Sequence, residues 1–599
     1  MYSSASYKVG AFLVLLGLLI TFLGVYGGIM LVSSPWLYIL FLLSILLILA
    51  IEAFTTDRIN SLLSSGFKLM MICSLITLLL ASQLPNISSY TGWDVNSEAR
   101  IFKIIESRGL WDPQDPPEMY NSILSTTIFP LIYTQVTGVS EMMFFKYLPI
   151  FFLALGMYLL LETNRSIFPK WVLYIGFIIL LSYPNLRTEL TSIPRQAYAL
   201  FMYSLSLVEF LNARYFIGSI LLWTITLYHY ATGFIFIPAT VLSFIISLVI
   251  RIKASSKSNW EHRMSRRMGL GIYAMMSSLL ILVVWYWYAV SPSVTYFVIS
   301  KATTTFYDIV DLIVEGKQPF ISQMVYPLTE PNIYSVIARW INRISLTAVF
   351  GSLIIGYIYT YIYCCCLRRA KREAEFSMDC ERQDSYTAIT LGIFITFVLS
   401  LISESFARSI NPGRLVVSSL YFIYPYIGLG FIVAYKVVLK TLGISRKMLK
   451  GLFFIITILF YISNTGITFE IASSNTFIWP TRLSSAVNLE SNPEATYEAL
   501  VFVGTPIDHQ IMNIVRNIVI DHKISYDFGS HLRYWNLDPN IIYSERSDII
   551  FLSYANIKSG HWRYMNGTLV DVKDSLLGNY SQIMILVNGG EYFRVVRRL

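Results

Sequence analysis

The chain has 599 residues, a formal net charge of +9, and 55% hydrophobic, 15% aromatic and 14% charged residues. A soluble domain is about a quarter charged, so these proportions, with a mean hydropathy of +0.58, exclude an ordinary soluble enzyme. The basic excess is gathered between apolar stretches, so it reports membrane orientation and is no sign of nucleic-acid binding.

Apolar stretches of about 18 residues suffice to cross a bilayer. Thirteen such spans are predicted: Val9–Val32, Trp36–Ala53, Phe67–Leu84, Lys146–Leu161, Trp171–Tyr183, Pro194–Leu211, Tyr215–His229, Thr232–Ile252, Leu270–Ala289, Ser345–Cys366, Tyr386–Glu404, Leu415–Tyr435 and Leu452–Ile467. The fourth, fifth and seventh are short for the purpose. Val9–Val32 is long for a signal peptide and is not followed by a small-residue cleavage site, so it reads as a retained anchor.

Three loops are basic. Arg251, Lys253, Lys257, Arg263, Arg266 and Arg267 form one, Arg368, Arg369, Lys371 and Arg372 the second, and Lys436, Lys440, Arg446, Lys447 and Lys450 the third. Thirteen spans running from a cytoplasmic N-terminus place all three inside, as the positive-inside rule requires. The same parity puts residues 85–145, 291–344, 405–414 and everything after Ile467 outside the cytoplasm, with the chain integral to the cell membrane. All five cysteines (Cys73, Cys364, Cys365, Cys366 and Cys380) then lie in the membrane or on its inner side, so no disulfide staples the outer parts. Asn86, Asn566 and Asn579 open Asn-x-Ser/Thr triplets on the outer side.

The expected fold class is an α-helical polytopic membrane protein. Residues 1–467 form the membrane domain, with large outer loops at 85–145 and 291–344. In residues 468–599 short apolar runs alternate with polar ones. Ala499–Val503, Asp548–Ser553 and Ile583–Val587 read as strands and Gln510–Ile520 as an amphipathic helix, hence a small extracytoplasmic α/β domain.

The chemistry-bearing segment is the first outer loop. It opens Gly92-Trp93-Asp94-Val95-Asn96-Ser97-Glu98 and continues through Glu106, Asp112, Asp115 and Glu118. Acids beside an apolar bundle are costly to bury and usually serve a purpose. A short helix over Ser97–Ser107, ended by Gly109, would leave Asp94 just before it and Glu98 in its first turn. Both carboxylates would then face one cavity, or else they cap and solvate that helix.

Gly92-Trp93-Asp94 after a membrane helix resembles the GT-C superfamily of integral-membrane glycosyltransferases. The stretch Tyr120–Pro130, Pro194-Arg195-Gln196-Ala197, His229-Tyr230-Ala231-Thr232 and Asn411-Pro412-Gly413-Arg414 are similar to segments of archaeal membrane proteins assigned to that superfamily. The plan of many spans, a large first outer loop and an extracytoplasmic C-terminal domain fits as well. The chain departs from two subtypes. It has no Trp-Trp-Asp after Ile467, and Asp94 and Glu98 are four residues apart where O-mannosyltransferases have adjacent acids.

The resemblance implies an inverting transferase. It would move a sugar from a polyprenyl-phosphate carrier to a protein, lipid or glycan acceptor on the outer face. Asp94 takes the place of the superfamily's first-loop acid, as base or metal ligand, with Glu98 beside it. A divalent cation such as Mg or Mn is the expected cofactor, and Asp112 and Asp115 are further candidates for the site. The departing lipid phosphate needs a cation. Arg195, at the start of a span, and Arg414 are the candidates, then Arg408 and Arg187. His229, between two spans, occupies a similar position. The competing classes are a lipid-linked saccharide flippase or surface-polysaccharide polymerase or ligase, and a non-catalytic membrane scaffold.

Overall fold

The computed structural model describes residues 15–26, 36–54, 57–80, 93–113, 121–183, 193–254, 275–290, 292–314, 333–362, 380–403, 412–434 and 446–465. It also describes a few isolated residues between them and, in the tail, 518–519, 549–552, 561–563, 569–571, 580–588 and 591–598.

Up to Thr465 the described residues form helices and no strand. In chain order these are α1 (Leu15–Tyr26), α2 (Trp36–Phe54), α3 (Asp57–Leu80), α4 (Trp93–Arg108) and α5 (Ile128–Thr137). A π-helical turn, Met143–Tyr147, runs straight into α6 (Leu148–Arg165). Then come α7 (Lys170–Ser182), α8 (Pro194–Leu211), α9 (Tyr215–Tyr228), α10 (Tyr230–Ala254), α11 (Met275–Trp287), α12 (Pro292–Val314) and α13 (Ile333–Ile362). The series closes with α14 (Cys380–Ile402), α15 (Pro412–Ile423), α16 (Pro425–Ala434) and α17 (Arg446–Asn464).

Over the described residues each predicted span overlaps one of these helices or, for the twelfth, two. Met143–Arg165, Arg343–Ile362 and Ser385–Ile402 are each long and apolar enough to cross a membrane, and the pair α15–α16 is a fourth if taken together. Eight further stretches of described helix, 10–17 residues each, are apolar but shorter. These are the elements of a helical membrane protein.

The twelfth span is not one straight helix. It bends by 73° between Ile423 and Pro425, because proline brings no N–H to the helix and crowds the preceding turn. The bend is deep in the protein, where a bare carbonyl is costly. The Phe422 carbonyl there accepts from the Tyr386 hydroxyl, which in turn accepts from Asn164 Nδ2 at 3.2 Å. Tyr426 donates to Thr387 Oγ1 at 2.8 Å, and Tyr357 to the Thr387 carbonyl at 2.6 Å.

The second half of the bend is buried along nearly its whole length. Glycines let the backbones around it meet: a Cβ at Gly430 would overlap the Ser352 carbonyl, and one at Gly356 would overlap the Tyr426 carbonyl. With no hydrophobic drive between helices in lipid, close approach at small residues is what holds them. Gly430→Ala should therefore lower stability by about 1–3 kcal/mol or more. Gly351→Ala on α13 meets nothing within 4 Å and should leave thermal unfolding of the purified protein unchanged or slightly raised. Equal melting of the two variants would dissociate the glycine contacts from stability.

The described residues of the tail form six strands: β1 (Ile518–Val519), β2 (Ile549–Leu552), β3 (His561–Arg563), β4 (Leu569–Asp571), β5 (Tyr580–Asn588) and β6 (Glu591–Arg598). They make a four-stranded sheet in the order β1-β2-β6-β5 and a two-stranded ribbon, β3-β4. β1 pairs parallel with β2, and the remaining pairs are antiparallel. The stretches expected as strands at Asp548–Ser553 and Ile583–Val587 contain β2 and part of β5. Two residues of the expected helix Gln510–Ile520 are instead the strand β1, because Ile518-Val519 pair with Ile549-Ile550. The rest of that helix, and Ala499–Val503, lie outside the described residues.

Candidate functional site

The first acidic loop is anchored by helix α4. It begins at Trp93, four residues earlier than the sequence suggested, so Asp94 stands inside the first turn rather than before it. Glu98 is one turn further along. The helix buries Val95, Ala99 and Phe102, spaced four and three apart, against Phe144 and Phe145 of the π turn and Tyr198 of α8. Phe102 and Phe145 rings lie 5.9 Å apart, and Tyr198 donates to the Phe144 carbonyl at 2.7 Å.

This packing brings Glu98 to Arg195. Their side chains are 0% and 4% exposed, and Arg195 Nη1 donates to Glu98 Oε1 at 2.5 Å. Pro194 opens α8 because its fixed φ suits a helix start and its missing N–H is not needed there. Arg195 thus stands at the positive end of a helix dipole, an unfavourable place for a cation. The Glu98 carboxylate supplies the anion that both the guanidinium and the helix end call for. The sequence reading put a lipid phosphate at Arg195. In the structure the charge partner there is Glu98, and Glu98, expected as a second acid open to a cavity, is tied to Arg195.

Asn121, Ser122, Ser125, Thr126 and Thr127 are all buried. They form a turn that closes the end of α9: the Leu124 N–H donates to the Leu227 carbonyl at 2.9 Å, and the Ser125 hydroxyl to the Tyr228 carbonyl at 2.8 Å. These are last-turn carbonyls with no partner inside their own helix. Trp111 Nε1 donates to the Asn121 carbonyl at 2.9 Å, tying the far end of the loop to the same turn.

His229 fills the one-residue break between α9 and α10, in extended conformation. Its Nδ1 lies 2.6 Å from Thr232 Oγ1, and the Thr232 N–H points to it at 3.4 Å. A side chain bonded three residues ahead at a helix start is a cap. Here His229 helps to hold the break between the helices.

Arg414 is half-buried near the start of α15. One turn on, Ser418 Oγ accepts from Gln196 Nε2 at 2.8 Å, so the helix carrying Arg414 touches the residue next to Arg195. Asp112 and Glu106 are exposed. Arg187, Arg408, Asp115 and Glu118 lie outside the described residues, as does the side chain of Asp94. Among the described residues no three His, Cys, Asp or Glu side chains gather to hold a metal ion.

Sequence reasoning missed Tyr198 and Phe144. Tyr198 is three residues after Arg195 on the same helix and packs in the cluster that buries Val95, Ala99 and Phe102 of α4, and that spacing was its signal. No protein-family model matches the chain, and no curated protein matches it.

Proposed function

We propose that the protein is an integral-membrane glycosyltransferase of the GT-C kind, taking a sugar from a polyprenyl-phosphate carrier at the outer face of the cell membrane. The observation that supports it is the buried Glu98–Arg195 pair, formed one turn from Asp94 by a charge-bearing helix docked among apolar ones. Charges kept inside an apolar bundle are expensive, and the usual return is function.

In this reading thirteen spans leave the loop 85–145 and the tail outside, and the tail, with its sheet, is a small α/β domain. Asp94 accepts the proton of the acceptor hydroxyl or amide. The acceptor atom attacks the anomeric carbon from the side opposite the lipid phosphate. The carbon–oxygen bond to the phosphate breaks, and the electron pair leaves with the lipid. Glu98 is the positioning residue: it fixes Arg195, and through α8 the helix that meets α15. Arg414 is the cation offered to the phosphate, since a guanidinium fork matches two phosphate oxygens where an ammonium does not.

The test is purified protein in lipid with a defined polyprenyl-phosphate sugar and a panel of acceptors. The expected products are free lipid phosphate and a glycosylated acceptor, both reduced at least about 10-fold by Arg414→Lys, on the scale of a lost charged hydrogen bond. Intact donor recovered in the opposite leaflet, with no glycosylated product for any acceptor, would make the protein a flippase.

A further inference from the structure

Helix α12 is amphipathic with its faces reversed. Tyr296, Ile299, Phe306, Tyr307 and Val314 follow one another at helical spacing and are between 49% and 75% exposed. The charged residues are turned the other way, while Ser300, Thr303 and Thr304 share the exposed side. Thr305 is 7% exposed, Lys301, Asp308 and Asp311 are half-buried, and Asp308 Oδ2 accepts from the Ser403 hydroxyl, just past the end of α14, at 2.8 Å. In water such a helix would turn over. Its stripe of exposed rings and aliphatic chains would be a standing liability, and its acids would seek solvent.

The hydroxyls agree with this. Thr303 and Thr304, on the exposed side, donate to the Ile299 and Lys301 carbonyls, each at 3.0 Å. A threonine bonded back to its own helix needs no water. The stripe also continues an existing apolar surface. On α11, Leu280, Val284 and Trp287 are exposed, and the Trp287 ring lies 5.9 Å from that of Tyr296. Aromatic pairs of this kind gather where hydrocarbon meets headgroups.

We propose that Pro292–Val314 is a membrane-bound helix, lying at the bilayer interface with its Tyr296–Val314 face covered by lipid and its polar face clasped to the bundle through Asp308 and Ser403. The occupant is bilayer lipid, because the stripe runs on from the exposed surface of an apolar helix. The segment was expected as part of the large outer loop 291–344, and the proposal holds whether or not the protein transfers sugars.

Nitroxide labels on single cysteines test it. The five native cysteines are first replaced, and Ile299→Cys, Phe306→Cys, Leu280→Cys and Glu106→Cys are reconstituted in lipid nanodiscs. Collision with oxygen, which concentrates in hydrocarbon, is compared with collision with a water-soluble nickel chelate. Labels at 299 and 306 should favour oxygen as the Leu280 label does. Nickel access equal to that at exposed Glu106 overturns the proposal. So does shielding from both reagents, which would mean that protein covers the face; spin–spin broadening would then identify a second copy.

Discussion

Replacing Asp94 by asparagine should lower sugar transfer by about 100-fold or more, the scale of a lost acid–base group, while the protein accumulates and melts like its parent. Asparagine keeps the size of the side chain and removes only the charge and the basicity. Asp94 lies in the first turn of α4, where a negative charge also favours the helix by about 0.3–1 kcal/mol. That term is too small to unfold the protein, so activity and stability separate. The assay follows glycosylated acceptor and free lipid phosphate together, with melting of the same preparations as the control. Full activity in Asp94→Asn would return Asp94 to a helix-terminal role.

The second large effect belongs to the ion pair. Arg195→Met leaves Glu98 buried without its guanidinium, and Glu98→Leu leaves Arg195 buried without its carboxylate. Each should destabilise by about 3–5 kcal/mol, the cost of stranding a buried charge. The double variant removes both charges and should recover much of that loss, because a well-packed apolar pair is often as stable as a buried ionic one. If the pair positions the site, the recovered double variant melts like the parent and still fails to transfer sugar. Thermal unfolding of the four proteins gives the coupling energy directly. Single variants as stable as the parent would show that the pair bears no load in the fold.

Local pattern carried much of this structure into the sequence. Pro194–Leu211 is a helix over the range expected, and the change of direction at His229 sits where one apolar run gives way to the next. The acids of the first loop and Arg195 were both candidates for the site. Their pairing was hidden because 97 residues separate them, and a list of charges does not say which ones meet across a bundle. Asked for an anion beside Arg195, the sequence offered a ligand, and the fold supplied its own.

Two other features were visible in kind but not used. Pro425 stands inside an apolar run, and a proline there forecasts a bend. In Pro292–Val314, Lys301, Asp308 and Asp311 break up the apolar count, so the segment was assigned to a loop. Its apolar residues nonetheless keep helical spacing, and what no spacing reveals is that the charged side faces the protein.

The glycine contacts of α16 bear on how a bulky lipid would enter the proposed transferase. Where Gly356 and Gly430 bring backbone against backbone, sliding of α13 past α16 would drive carbonyl oxygens into α-carbons. That part of the bundle therefore works as a keel, and in the proposed transferase a lateral doorway for a long isoprenoid tail would open elsewhere, between helices that meet through side chains alone.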